Sequence, residues 1–292
     1  MKKFESDTRG KLSWMRILRA VLLLLFSNLV PAPASAETLT FSPMLIDKPE
    51  TVASLWRPTL DHLEKALGAN IRIVIQPDYG KIIEKFRQGE IDLAFLGPLP
   101  YLELKHSFPA AEPVAHIREA DGRAKYTCAI VALAERQFTI AALRDKTIAL
   151  TQPLSTCGYL GTDGILRQAG GGLEYNRYRY LGSHENVALA VARGDYDAGG
   201  LKTVVGQRYE HLGVRVIAES EALPSFALIA NARKLSPARI ERIRKALVSV
   251  APAIRAGWGG ALQHGFESAS DRDYDGMRRF RIDATIPQEG NY

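Results

Sequence analysis

The sequence predicts an α/β protein made of two lobes of similar construction. Short apolar runs that suit strands alternate with amphipathic segments that suit helices, an order typical of sheets flanked by helices. Residues 79–95 and 184–200 repeat one pattern: a polar turn, an amphipathic helix, a Gly-x-x-Asp stop and a small apolar strand. A repeat at about half the chain length predicts two related lobes, and the cleft between such lobes is the usual place for a small ligand.

The first 36 residues have the composition of a secretory signal peptide. A basic start is followed by an apolar stretch and by Ala34-Ser35-Ala36, so we expect export and cleavage before Glu37. An uncleaved membrane anchor is the alternative, although the uninterrupted apolar run is short for a membrane span. With six basic and two acidic residues, this segment holds +4 of the net charge of +6. No basic block with interleaved aromatic residues remains, which argues against nucleic-acid binding.

The first half of the exported chain reads strand, helix, strand, helix, strand. Strands are predicted at 39–45, 71–75 and 91–96, and helices at 59–67 and 81–87, with a Pro-Asp-Tyr-Gly turn at 77–80. Gly68 and Gly89 follow the two helices as stop signals. This order implies a largely parallel sheet.

The second half continues the alternation. Strands are predicted at 113–117, 126–133, 147–150, 178–181, 198–202, 214–218 and 226–230, and helices at 159–168, 185–192 and 238–250. Ser236 and Pro237 form a capping signal before the last helix. The residues beyond Gly257 show only weak helical patterns.

The segment 151–160, Thr-Gln-Pro-Leu-Ser-Thr-Cys-Gly-Tyr-Leu, is the strongest candidate for a ligand site. It places Ser155, Thr156 and Cys157 between a strand and a helix. The free N–H groups and positive dipole end of a helix start favour an anion there. Two hydroxyls add donors, and Gly158 lets the backbone approach a ligand closely. The alternative is that Ser155 only caps the helix.

An enzyme is the least favoured function. Cys157 at a helix start could be a nucleophile with His184 as its base. A disulfide, which an exported chain permits, would exclude this role. The chain lacks the G-x-S-x-G and H-E-x-x-H motifs and a phosphate loop ending in Gly-Lys-Ser/Thr. The two cysteines, Cys128 and Cys157, do not fit a zinc motif, so we expect neither a metal nor a cofactor.

The exported chain resembles the phosphonate-binding proteins of bacterial ABC transporters, which also bind phosphate and phosphite. The resemblance covers residues 39–250. It rests on Pro-Asp-Tyr-Gly-x-Ile-Ile at 77–83, Tyr126 at the start of a strand, Pro-Leu-Ser-Thr-Cys-Gly-Tyr-Leu at 153–160, Gly-Ser-His-Glu-Asn at 182–186 and the two Gly-x-x-Asp stops. It implies a two-lobed type II periplasmic binding protein fold without enzymatic activity.

The same resemblance implies the domain division, the location and the partners. Residues 37–124 would begin lobe 1, residues 125–225 would form lobe 2, and residues 226–292 would return to lobe 1 and add C-terminal helices. The protein would capture a small phosphorus oxyanion in the periplasm and deliver it to an ABC permease. Similar domains also serve as sensors for membrane kinases or cyclases, and this alternative stays open.

The resemblance also implies the ligand-binding residues. Tyr79 and Tyr126 match tyrosines that donate to phosphonate oxygens, and His184 matches a histidine that donates across the cleft. Ser155 and Thr156 match the two hydroxyl residues at the helix start.

The chain departs from the family at three positions. Cys157 stands where serine is common, so it would keep the backbone N–H and lose a hydroxyl. The carboxylates that hold a ligand amine would fall at Val204 and Phe226, and neither residue is acidic. A buried ammonium without a carboxylate is poorly solvated, so we expect that 2-aminoethylphosphonate is not the preferred ligand.

A disulfide between Cys128 and Cys157 follows from the same resemblance. Tyr126 would face the ligand, Cys128 would share its side of the strand, and Cys157 lies in the ligand loop. Such a bridge would hold the loop against the strand and restrict the unfolded chain. Three basic residues could supply further positive charge or could simply be solvated: Arg123, Lys125 and Lys202.

Overall fold

The computed structural model of the protein describes residues 1, 37–44, 48–281 and 286–292. Apart from Met1, the signal peptide predicted at 1–36 lies outside the described residues, as do residue 45, the last of the first predicted strand, and residues 46 and 47. Within the described ranges, no helix has both the length and the apolar character needed to cross a membrane.

The strands of the described chain follow one another from residue 38 to residue 268. In chain order they are β1 (Thr38–Ser42), β2 (Asn70–Ile73), β3 (Leu93–Leu96), β4 (Ala111–Ile117), β5 (Lys125–Tyr126), β6 (Cys128–Leu133), β7 (Thr147–Leu150), β8 (Arg177–Tyr180), β9 (Ala198–Lys202), β10 (Val214–Glu219), β11 (Leu223–Pro224), β12 (Ala227–Asn231) and β13 (Phe266–Ser268).

The α-helices of the same part of the chain cover the faces of these strands, and short 3-10 turns join several of them. In chain order the helices are α1 (Pro49–Leu67), α2 (Tyr79–Arg87), α3 (Pro98–Ser107), α4 (Tyr159–Gln168), α5 (His184–Ala192), α6 (Thr203–Arg208), α7 (Pro237–Val248), α8 (Pro252–Arg255) and α9 (Asp275–Arg281).

Two mixed sheets organise the chain. The first has the order β13-β4-β12-β3-β1-β2, with β1 parallel to β2 and β3 and the other pairs antiparallel. The second has the order β10-β6-β9-β7-β8, with β7 parallel to β8 and β9. We call the first sheet with α1, α2, α3 and α7 lobe 1, and the second sheet with α4, α5 and α6 lobe 2. The predicted α/β class is confirmed.

The two faces of each sheet pack against different helices. In β3, Leu93 and Phe95 join the apolar cluster under α1 and α7, while Ala94 and Leu96 join the cluster under α2 and α3. This alternation follows from the period of two along a strand. The same alternation in β7 divides the core of lobe 2 between α4 and α5.

The internal repeat predicted from the sequence corresponds to α2–β3 in lobe 1 and α5–β9 in lobe 2. Asp78 caps α2 and Ser183 caps α5, each accepting a hydrogen bond from the third N–H of its helix at 2.8 and 3.1 Å. After the helices, Gly89 and Gly194 have φ of +79° and +77°, a conformation that favours glycine. Both helices thus begin and end by the same local chemistry.

The aspartate of each Gly-x-x-Asp stop ties its strand to the neighbouring parallel strand. The carboxylate of Asp92 accepts hydrogen bonds from the N–H and hydroxyl of Thr40 at 2.7 and 2.8 Å. Asp197 accepts the same pair of bonds from Thr147 at 2.9 and 3.0 Å. The repeat therefore extends to tertiary hydrogen bonds.

Helix α1 differs from the prediction in its start, and helices α3, α6 and α8 were not predicted. Helix α1 begins at Pro49 and contains Pro58. An interior proline usually ends or kinks a helix, which is why the sequence indicated a helix only after it. The helix α3 was not predicted, because two prolines stand in its first turn and its apolar residues surround most of its circumference.

The C-terminal residues 286–292 lie on lobe 2, which corrects the predicted assignment of the whole tail to lobe 1. Asn291 hydrogen-bonds the edge strand β8 through Tyr178, donating its backbone N–H at 3.1 Å and accepting on its side chain at 2.7 Å. Tyr180 donates to the carbonyl of Pro287 at 2.8 Å. Earlier in the tail, β13 does extend the sheet of lobe 1.

Candidate functional site

Tyr79 is the first residue of α2 and is buried, with 4% of its surface exposed. The predicted turn at 77–80 was therefore wrong in its second half, which is helical. The Tyr79 hydroxyl donates to the sulfur of Met44. Burial, and the nearby Tyr126, raise the pKa of Tyr79, so its hydroxyl stays protonated and remains a donor.

Tyr126 lies on β5, where the chain passes from lobe 1 to lobe 2. Its hydroxyl is buried and has no hydrogen-bond partner among the described residues. Thr156 is close enough to oppose part of the rise in the pKa of Tyr126 that burial causes, but no bond of normal geometry joins the two hydroxyls. A buried hydroxyl without a partner is costly, so a ligand acceptor there would be favourable.

The loop with Ser155, Thr156 and Cys157 lies before α4 without capping it. The N-cap is Gly158, and no side chain caps the helix. The alternative that Ser155 only caps α4 is therefore wrong. Ser155 instead lies in two consecutive tight turns, donating from its N–H to Gln152 and accepting at its carbonyl from Gly158, at 3.1 and 3.0 Å.

Glycine is required at position 158 because the loop folds tightly over it. A Cβ there would lie 2.5 Å from the carbonyl oxygen of Gln152 and 2.8 Å from the hydroxyl of Thr151. The Thr151 hydroxyl is a second buried polar atom for which the described residues offer no partner. Thr151, against which the ligand loop packs, was not expected at the site from the sequence.

Thr156 connects the loop of lobe 2 to the N-terminus of α3 in lobe 1. Its hydroxyl accepts a hydrogen bond from the N–H of Leu99 at 3.1 Å. At the N-cap, a Cβ on Gly97 would lie 3.0 Å from the ring of Phe226 and 3.4 Å from the Thr156 hydroxyl. This helix start was not expected from the sequence, although glycine followed by proline is a signal for one.

A disulfide joins Cys128 at the start of β6 to Cys157 in the loop, with their Cα atoms 5.1 Å apart. It lies against α4, where a Cβ on Gly161 would be 3.1 Å from the sulfur of Cys128. The bridge attaches the ligand loop to the central sheet of lobe 2. It also contradicts the alternative in which Cys157 is a nucleophile with His184 as its base, because the sulfur is not a free thiol.

His184 begins α5 and has a defined tautomer. Its Nδ1 accepts a hydrogen bond from the backbone N–H of Lys202 at 3.0 Å, so the proton of the neutral ring lies on Nε2. Burial and the charge of Lys202 lower the pKa of His184 to about 4. His184 is half-buried and keeps part of its surface in solvent. At neutral pH, His184 is therefore an uncharged donor.

Of the three basic candidates, Lys202 reaches the site. Its ammonium lies 2.7 and 2.8 Å from the two carboxylate oxygens of Glu119 and 5.0 Å from the centre of the Tyr126 ring. Arg123 pairs with Asp121 at 2.6 Å and keeps 78% of its side chain exposed. Lys125 is exposed on β5.

The structure thus brings predicted residues from both lobes into one neighbourhood. The connecting contacts are those of Tyr126 with Phe226 (ring centres 5.7 Å apart), Thr156 with Leu99, and Tyr126 with Lys202. Tyr79 is near enough to Tyr126 for that residue to raise its pKa. His184 joins this group through Lys202. Across the described residues, no cluster of three or more His, Cys, Asp or Glu side chains is arranged to hold a metal ion.

Comparisons with curated proteins identify the family of this chain. Over residues 41–274 the chain matches the family described as ABC transporter, phosphonate, periplasmic substrate-binding protein. The phosphate-import protein PhnD of Mycolicibacterium smegmatis is 29% identical over 175 residues, 56% of this chain and 54% of that protein. The phosphonates-binding periplasmic protein of Escherichia coli is 25% identical over 217 residues, 68% of this chain and 63% of that protein. The chain therefore spans only a little more than half of these relatives' lengths.

Solved structures share the fold. PhnD1 from Prochlorococcus marinus in complex with methylphosphonate has a TM-score of 0.71 at 15% identity and covers 84% of this chain and 97% of its own. A binding protein component of the ABC phosphonate transporter of Pseudomonas aeruginosa has a TM-score of 0.69 at 21% identity, over 85% and 86% of the two chains. The predicted type II periplasmic binding protein fold is confirmed. The chain belongs to the family of periplasmic substrate-binding proteins of phosphonate ABC transporters.

Proposed function

We propose that this protein captures a small phosphorus oxyanion, namely phosphate, phosphite or an alkylphosphonate, between its two lobes in the periplasm and delivers it to an ABC permease. The relatives reported above are transport proteins, which supports this role over that of a sensor. The observation that carries the proposal is the buried hydroxyl of Tyr126, which has no partner among the described residues and belongs to a strand that crosses between the lobes.

The donors proposed for the ligand are neutral, which suits a ligand whose own charge is negative. Tyr79 and Tyr126 keep their protons because burial raises their pKa values, and His184 is an uncharged donor through Nε2. The N-terminus of α3 adds a partial positive charge, while its Leu99 N–H is already donated to the Thr156 hydroxyl. Hydrogen bonds to a charged acceptor are about twice as strong as neutral ones.

The two chain crossings next to the site supply a hinge for this capture. The strands β5 and β11 pair antiparallel, with Tyr126 opposite Leu223 and Lys125 opposite Pro224. Closure about such paired crossings is a common motion of two-lobed binding proteins. We place the lobe boundaries at 124/125 and 225/226, beside these strands. Tyr126 would then lie on the hinge and meet the ligand as the lobes close.

Thermal unfolding of residues 37–292 with phosphate, phosphite, methylphosphonate or sulfate tests the proposal. A ligand at 100 times its dissociation constant should add about 2.7 kcal/mol of stability. Ser155→Ala and His184→Ala should reduce the shift. Ser107→Ala and His211→Ala are matched controls, because both residues lie on the surface and hydrogen-bond only within their own local turns. A phosphorus oxyanion that stabilises the native chain and both controls, but not the site variants, is the expected result.

Two outcomes would contradict the proposal. The first is the absence of a shift with any of the phosphorus oxyanions at millimolar concentration. The second is an equal shift in the native chain and in both site variants, which would place the anion elsewhere on the surface.

A further inference from the structure

We propose that Lys202 occupies an ammonium-binding cage formed by Glu119, Tyr126 and Phe226, and that this internal occupant makes the site select phosphorus oxyanions without an amino group. The cage itself is independent of the ligand, while its effect on selectivity rests on the proposed function. The resemblance described above already indicates that aminoalkylphosphonates bind weakly, because this chain lacks the two carboxylates that hold the ligand amine. The cage is a different cause, because here a carboxylate is present and is already paired.

The ammonium of Lys202 is surrounded on several sides by groups that bind cations. Both carboxylate oxygens of Glu119 accept from it, at 2.7 and 2.8 Å. It lies 5.0 Å from the centre of the Tyr126 ring and 5.9 Å from that of Phe226. A carboxylate combined with aromatic faces is the chemistry that recognises ligand ammonium groups.

The cage is held in place by its own packing. The rings of Tyr126 and Phe226 lie 5.7 Å apart, and Ser225 donates to the Glu119 carboxylate at 2.7 Å. The side chains of Lys202 and Glu119 are 17% and 16% exposed, so the ion pair is largely removed from water. Its parts come from the end of β9 in lobe 2 and from the segments that cross between the lobes. Such a pre-formed site needs little rearrangement to hold a cation.

The cage adjoins the donors proposed for the oxyanion. One Tyr126 ring presents its face to the ammonium, while its buried hydroxyl has no partner among the described residues. The backbone N–H of Lys202 also holds Nδ1 of His184 at 3.0 Å. The amino end of a short aminoalkylphosphonate would therefore meet the position that Lys202 already fills.

Lys202 has two consequences for selectivity. As a tethered cation it competes with any free ammonium at a high effective concentration. It also neutralises Glu119, whose carboxylate would otherwise repel an anion in the neighbouring site. Removing the lysine should thus weaken methylphosphonate binding and strengthen binding of 2-aminoethylphosphonate.

The first test measures the cage without any phosphonate. Lys202→Ala should unfold at a lower temperature than the native chain in sodium chloride, and methylammonium chloride at equal concentration should raise its Tm. Lys202→Met is the matched control, because its side chain refills the space without a charge. Neither the control nor the native chain should respond to methylammonium. A Lys202→Ala chain that responds equally to both salts would overturn the proposal, whatever the ligand of the protein is.

The second test measures selectivity by calorimetric titration. In Lys202→Ala, the affinity for 2-aminoethylphosphonate relative to that for methylphosphonate should rise at least tenfold. If this variant does not fold, Lys202→Gln replaces it, since the amide can still donate to Glu119. That variant should bind methylphosphonate at least tenfold more weakly, and adding Glu119→Gln should restore binding. Unchanged ratios in the first variant, or unchanged affinity in the second, would refute the selectivity role.

Discussion

The substitution Tyr126→Phe tests whether the Tyr126 hydroxyl binds the ligand or stabilises the fold. The substitution removes one oxygen and keeps the ring, which packs against Phe226 and under the ammonium of Lys202. A structural hydroxyl would have a partner in the free protein. The Tyr126 hydroxyl is buried, and the described residues leave it unpaired.

The substitution should have opposite effects on the stability of the free protein and on its affinity for the ligand. An unpaired buried polar group costs about 1–3 kcal/mol, so its removal should leave the free protein equally stable or more stable by up to that amount. A hydrogen bond to a charged acceptor is worth about 1.5–3 kcal/mol, which corresponds to a loss of affinity of about 10- to 150-fold. The variant should therefore be a stable protein that binds its oxyanion poorly.

Urea unfolding and calorimetric titration with methylphosphonate or phosphate measure the two effects. Tyr175→Phe is the matched control, because Tyr175 is 48% exposed and its ring lies under Arg144. This control should change neither quantity. Native affinity in Tyr126→Phe would refute the assignment of the hydroxyl to the ligand. A loss of more than about 1 kcal/mol in the free protein would show that the hydroxyl has a structural partner.

Three further predictions concern stability. The pKa of His184 is about 4 in the folded chain and near 6.5 in the unfolded chain. Between pH 6.5 and pH 4 only the unfolded chain binds a proton at His184, so the free energy of unfolding should fall by on the order of 3 kcal/mol over this range. Urea unfolding against pH measures this, and His184→Gln should lack that component. Cys128→Ser/Cys157→Ser should lose about 3–4 kcal/mol, since the disulfide closes a loop of 29 residues, and a reductant should then have no further effect on urea unfolding. Asp92→Asn should lower the unfolding midpoint by more than Asp197→Asn does, because the Asp92 side chain is 4% exposed and that of Asp197 is 24% exposed; equal losses would contradict a role of burial.

The elements best predicted from the sequence are those with a strong local signal. The strand at 147–150, the helix at 159–168 and the strand at 198–202 have their predicted bounds. The repeat led to two matched helices because capping residues, apolar spacing and a stop glycine act within a few residues of each other. The helix α3 was not predicted, because burial on most of its faces removes the periodic pattern on which such a prediction depends.

The sequence indicated some residues of the candidate site, but it indicated neither their arrangement nor Thr151, Leu99 and Glu119. Ser155, Thr156 and Cys157 were expected at a helix start, where local chemistry favours an anion. The structure instead directs the Thr156 hydroxyl across to the N–H of Leu99 on α3. Nothing near Thr156 in the chain signals that contact, which joins residues 57 positions apart.

The amino-acid sequence by itself thus determined the α/β class, the doubled construction and the family, because periodicity, caps and short motifs are local properties of the chain. Only the tertiary structure decided that Lys202 pairs with Glu119, 83 positions away, and that residues 286–292 pack on β8. Such contacts depend on how two sheets and their crossing strands lie in space. That arrangement follows from the packing of the whole chain, and no short segment carries it.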